Sequence, residues 1–398
     1  EPVDVVDMKL DDAIQLIRGK KGTEVRLTVK KPDGSIVVIP IIREVVVIEE
    51  SFAKSALMTY KGKKFGLIHL PSFYADFSQR GRGRNCAGDV RTEISKLQKE
   101  GATGIVIDLR NNGGGSLADA IEMGGLFIPQ GPIVQVKDMR GIEVHTDRNP
   151  AVEYGGPLVI LTNTYSASAS EILAAALQDY GRAVIVGSKS TFCKGTVQTF
   201  VELPGGLSDV FPRGFGQLKV TIQKFYRING GTTQLRGVEP DVVLPDVYDG
   251  IEQGEKEMDF HLAYDKIPAA AYQSYNPYKE SQRRKAIELS KKRLSKNEYY
   301  ALVQKRSAEL AQVRNEYTYS LNMKKFEAQQ EALRLQDKPL RDYKYRTVCD
   351  TVMALQGDLK EAGADAIKLA QKQDWLKRYR EDAGLDEAVR ILFDWSGK

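Results

Sequence analysis

Histidine is nearly absent from this sequence: only His69, His145 and His261 occur in 398 residues. None stands in a paired or H-E-x-x-H arrangement, which argues against a metal site. Cysteine is equally sparse. Cys86, Cys193 and Cys349 lie far apart, without metal-ligand spacing, and neither require nor exclude an oxidising compartment. No metal and no cofactor are expected. No run of eighteen apolar residues exists, so no hydrophobic transmembrane helix is expected. An excess of one charge is missing too: the net charge is +5, too mild to point to nucleic acid. What remains is an ordinary globular composition, 42% hydrophobic and 28% charged, with length enough for two or three domains.

The opening EPVDVVDMKLDDAIQLIRGKKG reads as the interior of a fold, with neither an initiator Met nor a leader, so a fragment or processed form is expected. A short helix over Leu10–Arg18 precedes two strands, EVRLTV and SIVVIPI, around the turn KPDGS. From 64 to 250 short apolar runs (FGLIHL, GIVIDL, LVILT, AVIVG) alternate with helical patterns near 89–99, 116–125 and 169–180. Such runs suit strands buried on both faces, and the alternation predicts an α/β core. The segment QRGRGRNCAGD, 79–89, reads as a mobile surface loop. Beyond about 251, long charged helical segments carry a thin apolar stripe such as Leu310, Val313, Tyr317 and Leu321.

Three segments carry candidate chemistry. DLRNNGGG, ending at Gly115, is a strand running into a glycine-rich turn whose amides could approach a ligand closely. It lacks the lysine and spacing of a phosphate loop. SASASEILAAALQDYG, Ser166–Gly181, predicts a helix with Ser168 as N-cap, Glu171 completing an S-x-x-E capping box and Gly181 stopping the last turn. Capping serines are far commoner than catalytic ones. A serine there would nevertheless face an oxyanion with the amide of Ala169 and the positive end of the helix. STFCKGTVQ places Lys194 after an apolar strand. A lysine can act as base if burial removes its proton, and bringing it from about 10.4 to near 7–8 takes about 4 kcal/mol.

These motifs, followed by TIQKFYRINGGTTQLRGVEPDVVLP, resemble the C-terminal processing peptidases, and in particular the tail-specific proteases of the Gram-negative periplasm. The resemblance implies a crotonase-like α/β protease core over 44–250, preceded by the C-terminal part of a PDZ domain over 1–43 and followed by a helical domain over 251–398. It implies Ser168 as nucleophile, Lys194 as general base and Gln198 orienting that lysine. The oxyanion would be held by the amides of Ala169 and of Gly114 or Gly115, with Asp179 in support. It further implies periplasmic protein substrates with apolar C-terminal tails and a helical-repeat adaptor lipoprotein as a delivery partner. The part of a PDZ domain that binds a terminal carboxylate is missing from 1–43, so this chain is expected to grip tails poorly.

Two departures stand out. The family pattern has glycine where this chain has Cys193, and GSKSTFCK is one residue longer than that pattern. If the position needs a positive φ, cysteine costs about 1 kcal/mol or more, and its thiol is expected to be open to reagents beside the site. Three rival readings follow: a catalytically weakened peptide-binding scaffold, Cys193 as nucleophile, and a crotonase-type acyl-thioester enzyme.

Overall fold

The computed structural model describes residues 2–44, 51–76, 83–203, 216–251, 253–278, 280–314, 318–363 and 365–397. Two compact units result, Glu1–Ser51 and Phe52–Lys398. In the first, α1 (Leu10–Ile17) precedes an antiparallel pair, β1 (Glu24–Lys30) and β2 (Ile36–Ile42), in register from Glu24 opposite Ile42 to Lys30 opposite Ile36. Arg43 closes the helix end, donating to the carbonyls of Ile17 (2.7 Å) and Leu16 (3.4 Å). α1 buries no residue. One helix on a two-stranded hairpin is too little to build a core.

The second unit contains β3 (Lys54–Tyr60), β4 (Lys63–His69), α2 (Cys86–Lys99), β5 (Ile105–Asp108), α3 (Leu117–Gly125), β6 (Gly131–Asp138), β7 (Gly141–Asp147), β8 (Leu158–Thr162), α4 (Ala169–Asp179), β9 (Val184–Gly187), β10 (Thr196–Glu202), β11 (Gln217–Tyr226) and β12 (Val242–Val243). The helices α5 (Glu280–Leu294), α6 (Glu298–Arg314) and α7 (Met323–Arg341) follow. After them come β13 (Thr351–Met353), α8 (Gln356–Ala362), α9 (Ala366–Arg380) and α10 (Ala383–Trp395). A seven-stranded sheet runs β12-β9-β8-β5-β4-β3-β13, parallel from β12 to β4 and antiparallel at β3 and β13. A four-stranded antiparallel sheet runs β10-β11-β6-β7.

The continuous apolar runs are explained by burial on both faces. Along β5, Ile105 and Ile107 join one cluster with Leu173 and Leu177 of α4, while Val106 joins another with Leu385, Val389 and Trp395 of α10. Successive side chains of a strand point to opposite faces, so a sheet between two helical layers has no polar face. The C-terminal region supplies the second of these layers, and it also adds β13 to the sheet edge beside β3.

Several expectations need correction. Of the loop expected over 79–89, residues 79–82 lie outside the described residues, and 86–89 form the first turn of α2. Asn85 caps that turn, its Oδ1 accepting from the Gly88 N–H at 2.8 Å. The apolar stripe does not run along one helix: α6 ends at Arg314, Tyr317 lies outside the described residues, and Leu321 is fully exposed. α6 is instead buried at Tyr300 and Val303. The β6–β7 and β10–β11 hairpins were not anticipated as strands.

Candidate active site

The loops after β5, β8 and β9 leave the same edge of the sheet, because these three strands are neighbours and parallel. That edge, the carboxyl ends of parallel strands, is where open α/β sheets place ligands. The first loop carries Gly113–Gly115, the second carries Ser166–Ser170, and the third carries Thr191–Lys194.

The three serines differ sharply. Ser166 is buried, with its hydroxyl donating to the Leu109 carbonyl (2.8 Å) and accepting from the Asn163 N–H (3.0 Å). Ser170 is buried and donates to the Asn112 carbonyl at 2.9 Å. Both stitch the start of α4 to the glycine loop. Ser168 alone is partly exposed, and its backbone stands at φ 57°, ψ −112°. N-caps adopt extended geometry, and a non-glycine residue in this region costs about 1–3 kcal/mol, a strain that clusters at functional sites. At the other end, Gly181 has φ 70° and closes α4 as the sequence predicts.

The glycine loop touches the serine closely. A Cβ on Gly114 would stand 2.8 Å from the Ser168 Cβ and 2.7 Å from the Ala167 carbonyl oxygen, and Gly114 itself has φ 96°. Of the two candidate loop amides, that of Gly114 is already committed to Asn112 Oδ1 at 2.9 Å. Those of Gly115 and Ala169 have no intramolecular hydrogen bond among the described residues. Asn112, which the sequence reading passed over, is fully buried. Its Nδ2 donates to the Leu70 carbonyl (2.9 Å), pinning the loop to the end of β4.

Glu171 joins the second and third loops. Its carboxylate is fully buried and accepts four hydrogen bonds. Oε1 takes the Thr191 hydroxyl (2.6 Å) and the Cys193 N–H (2.9 Å). Oε2 takes the N–H groups of Ser168 (2.8 Å) and Lys194 (3.1 Å). Ser168 and Lys194 therefore have backbone nitrogens no more than about 6 Å apart, since both bond the same oxygen. Burial pushes the Glu171 carboxyl up to about 8 although all four donors oppose the shift. The S-x-x-E spacing gave Glu171 one task, the helix cap; its other three bonds depend on a loop twenty residues away.

Lys194 is half-buried, and its amine has no hydrogen-bond or ion-pair partner among the described residues. Burial is the main cause that lowers its pKa, helped by the charge of Lys219, while Glu255 and Glu171 pull it back up. Gln198 lies on β10 just past a register shift, with an exposed side chain and no hydrogen bond to Lys194. Asp179 sits at the far end of α4 in a two-pronged ion pair with Arg227 (2.6 and 3.1 Å). Cys193 does have a positive φ, 72°, but the expectation of an accessible thiol fails. The side chain is 2% exposed, its sulfur donates to the Thr191 carbonyl (3.2 Å), and burial raises its pKa to about 11. That removes the thiolate a nucleophile would need at neutral pH.

The base of the glycine loop is anchored to the C-terminal helices. Arg110 pairs with Asp108 (2.7 Å) and with Asp382 (2.6 Å), the N-cap of α10, and the Tyr379 hydroxyl donates to Asp108 at 3.0 Å. A cavity of about 540 Å³ lies beside this network, lined by His69, Tyr299 and Trp375 among others, and includes neither Ser168 nor Lys194. Among the described residues no cluster of His, Cys, Asp or Glu could hold a metal ion, and no helix is long and apolar enough to cross a membrane.

Residues 64–244 match the model of peptidase family S41, and residues 248–397 match the C-terminal domain of tail-specific protease. The tail-specific protease of Haemophilus influenzae is 44% identical over 271 residues, covering 68% of this chain and 37% of that protein. A carboxyl-terminal-processing protease of Picosynechococcus is 36% identical, covering 61% of this chain and 54% of its own. The carboxy-terminal processing protease CtpA of Bacillus subtilis is 32% identical, with 61% and 47% covered. The chain thus spans between about a third and a half of the length of these relatives. With the glycine loop, the strained serine and the buried glutamate all inside the matched segment, the chain belongs to peptidase family S41, its last third being the C-terminal domain of the tail-specific proteases.

Proposed function

We propose that this chain is the core of a serine endopeptidase that cleaves proteins recognised through their C-terminal tails, with Ser168 as nucleophile and Lys194 as general base. The observation that supports the reading is that the backbone N–H groups of Ser168 and Lys194 bond one oxygen of Glu171, so that the backbones of a strained serine and of a half-buried lysine with no side-chain partner among the described residues lie near each other. Lys194 in its neutral form takes the proton of the Ser168 hydroxyl as Oγ bonds to the scissile carbonyl carbon. The oxygen that gains charge meets the free amides of Ala169 and Gly115 at the positive end of α4. The protonated lysine then passes its proton to the departing amine, and water repeats the cycle on the acyl-enzyme. In this reading Gln198, whose exposed side chain makes no bond to Lys194 in this structure, orients the lysine only after turning toward it, and Asp179 supports the end of α4 through Arg227.

The same reading gives 1–43 as the C-terminal part of a PDZ domain, 44–250 as a crotonase-like protease core and 251–398 as a helical domain. Two different family models divide the chain near the second of these boundaries. Substrates would be periplasmic proteins with apolar tails, delivered by a helical-repeat adaptor lipoprotein. A second reading, a catalytically weakened scaffold, is favoured by one observation, the positive φ forced on Cys193 beside Lys194. Time-dependent cleavage of casein decides between them. Lys194→Ala and Ser168→Ala should each abolish it, with the circular dichroism of the folded chain unchanged; wild-type turnover at the level of the Ser168→Ala variant favours the scaffold.

A further inference from the structure

β10 is an edge strand that starts two residues after Lys194 and lacks the usual protection of edges. Exposed edges are normally short, charged or interrupted, because unpaired N–H and C=O groups recruit other strands. The other edges of the second unit follow that rule. β12 has two residues and β13 three, and β7 carries Glu143, His145 and Asp147 at alternate positions. β10 is seven residues long, has no proline and no lysine, carries a charge only at its far end, Glu202, and leaves Phe200 64% and Val201 46% exposed.

The direction of its backbone groups follows from the register. The Leu203 N–H donates to the Gly216 carbonyl at 3.0 Å, so this pair faces inward. With a period of two, Val201 opposite Leu218 and Thr199 opposite Val220 also face β11. Gln198, Phe200 and Glu202 therefore turn their N–H and C=O groups outward, to an edge with no strand beside it among the described residues. Beyond the three residues that pair with β6, the β10–β11 pair has no further strand beside it among the described residues. An isolated two-stranded hairpin is marginal in water and gains from a third strand.

We propose that the free edge of β10 is the substrate rail: an extended segment of the protein substrate adds there as a third strand, bonding the backbone of Gln198, Phe200 and Glu202 and laying an apolar side chain against Phe200. Strand addition reads main chain first and side chains second, which suits an enzyme that must accept many sequences. Continuity with Lys194 fixes the occupant, since a strand laid along β10 runs toward the catalytic lysine. The inference rests on the serine–lysine reading above.

The test uses the whole chain carrying Ser168→Ala, so that a fluorescent, unstructured 20-residue peptide with alternating apolar residues binds without being cut. Amide hydrogen exchange over 197–203 should slow on peptide binding, and unchanged exchange there overturns the proposal. Phe200→Pro deletes one outward N–H and no bond to β11, whereas Phe200→Ala deletes only the ring. The proline variant should weaken binding at least tenfold relative to the alanine variant; equal affinities overturn strand addition. Labelling of Ser168 by a fluorophosphonate in chains that retain Ser168 separates the two ideas. Labelled serine with unprotected β10 sinks the rail alone, while protected β10 with no labelling sinks the serine–lysine reading alone.

Discussion

Replacing Glu171 by glutamine changes one oxygen into an NH₂ group and should break the link between the two halves of the site. Four donors converge on the carboxylate, and an amide can accept from only one of its two ends. If the NH₂ replaces Oε1, it meets the Cys193 N–H head-on, and the Thr191 hydroxyl, which also accepts from the Val238 N–H at 2.8 Å, must turn. If it replaces Oε2, the Ser168 and Lys194 N–H groups are both stranded. Each buried donor left without a partner costs about 1–3 kcal/mol. The first arrangement strands only one, so Glu171→Gln should lower unfolding stability by about 1–3 kcal/mol. Catalysis should suffer more. A displacement of about 1 Å in a catalytic group can cost 10²-fold, and the variant frees the Thr191–Lys194 loop from α4. Urea unfolding and kcat/KM on casein-derived peptides, both at about pH 9 where the carboxyl raised to about 8 is ionised, measure the two effects. Stability within 0.5 kcal/mol and kcat/KM within about twofold of wild type would refute the argument that this carboxylate holds Lys194 to Ser168.

Gly114→Ala should abolish cleavage and destabilise the fold, because its Cβ would stand under 3 Å from both the Ala167 carbonyl and the Ser168 Cβ; retained peptide turnover would contradict that contact. For Cys193→Gly, relief of about 1 kcal/mol at φ 72° is offset by loss of a buried thiol. We expect stability nearly unchanged and kcat raised severalfold, with maleimide inactivating the native chain slowly, and rapid thiol modification would disprove the buried position. Glu171 binds a proton in the folded chain up to about 8 and in the unfolded chain only up to its ordinary 4.5. The folded form therefore loses stability as pH rises through that window. Activity should move the opposite way, rising with pH as Lys194, lowered by burial, gives up its proton. A kcat/KM that is flat from pH 5 to 9 would exclude lysine as the base. Relative to Lys194→Met, the native chain should gain stability as pH rises through the lysine's lowered pKa, because the buried charge disappears; parallel urea midpoints across that range would contradict it.

The local signals were legible in the sequence because each rests on neighbouring residues. Continuous apolar runs such as GIVIDL announced strands buried on both faces, and the Ser166–Gly181 stretch announced a helix with a glycine stop. Three motifs in order, DLRNNGGG, SASASE and CKGTVQ, carried the resemblance to the C-terminal processing peptidases, and only that resemblance implied Ser168 among three serines. Tertiary structure decided the rest. Ser166 and Ser170 are excluded from the exposed position by carbonyls of Leu109 and Asn112, more than fifty residues away. Gly114 and Gly115 look alike in sequence, but a bond from the buried Asn112 side chain occupies one amide and leaves the other free. Glu171 reads as a helix cap, and only the fold delivers to it the amides of Cys193 and Lys194. A cap is set by four consecutive residues. A clamp between loops exists only once β5, β8 and β9 lie side by side, because parallel strands bring their carboxyl ends together whatever their separation in sequence.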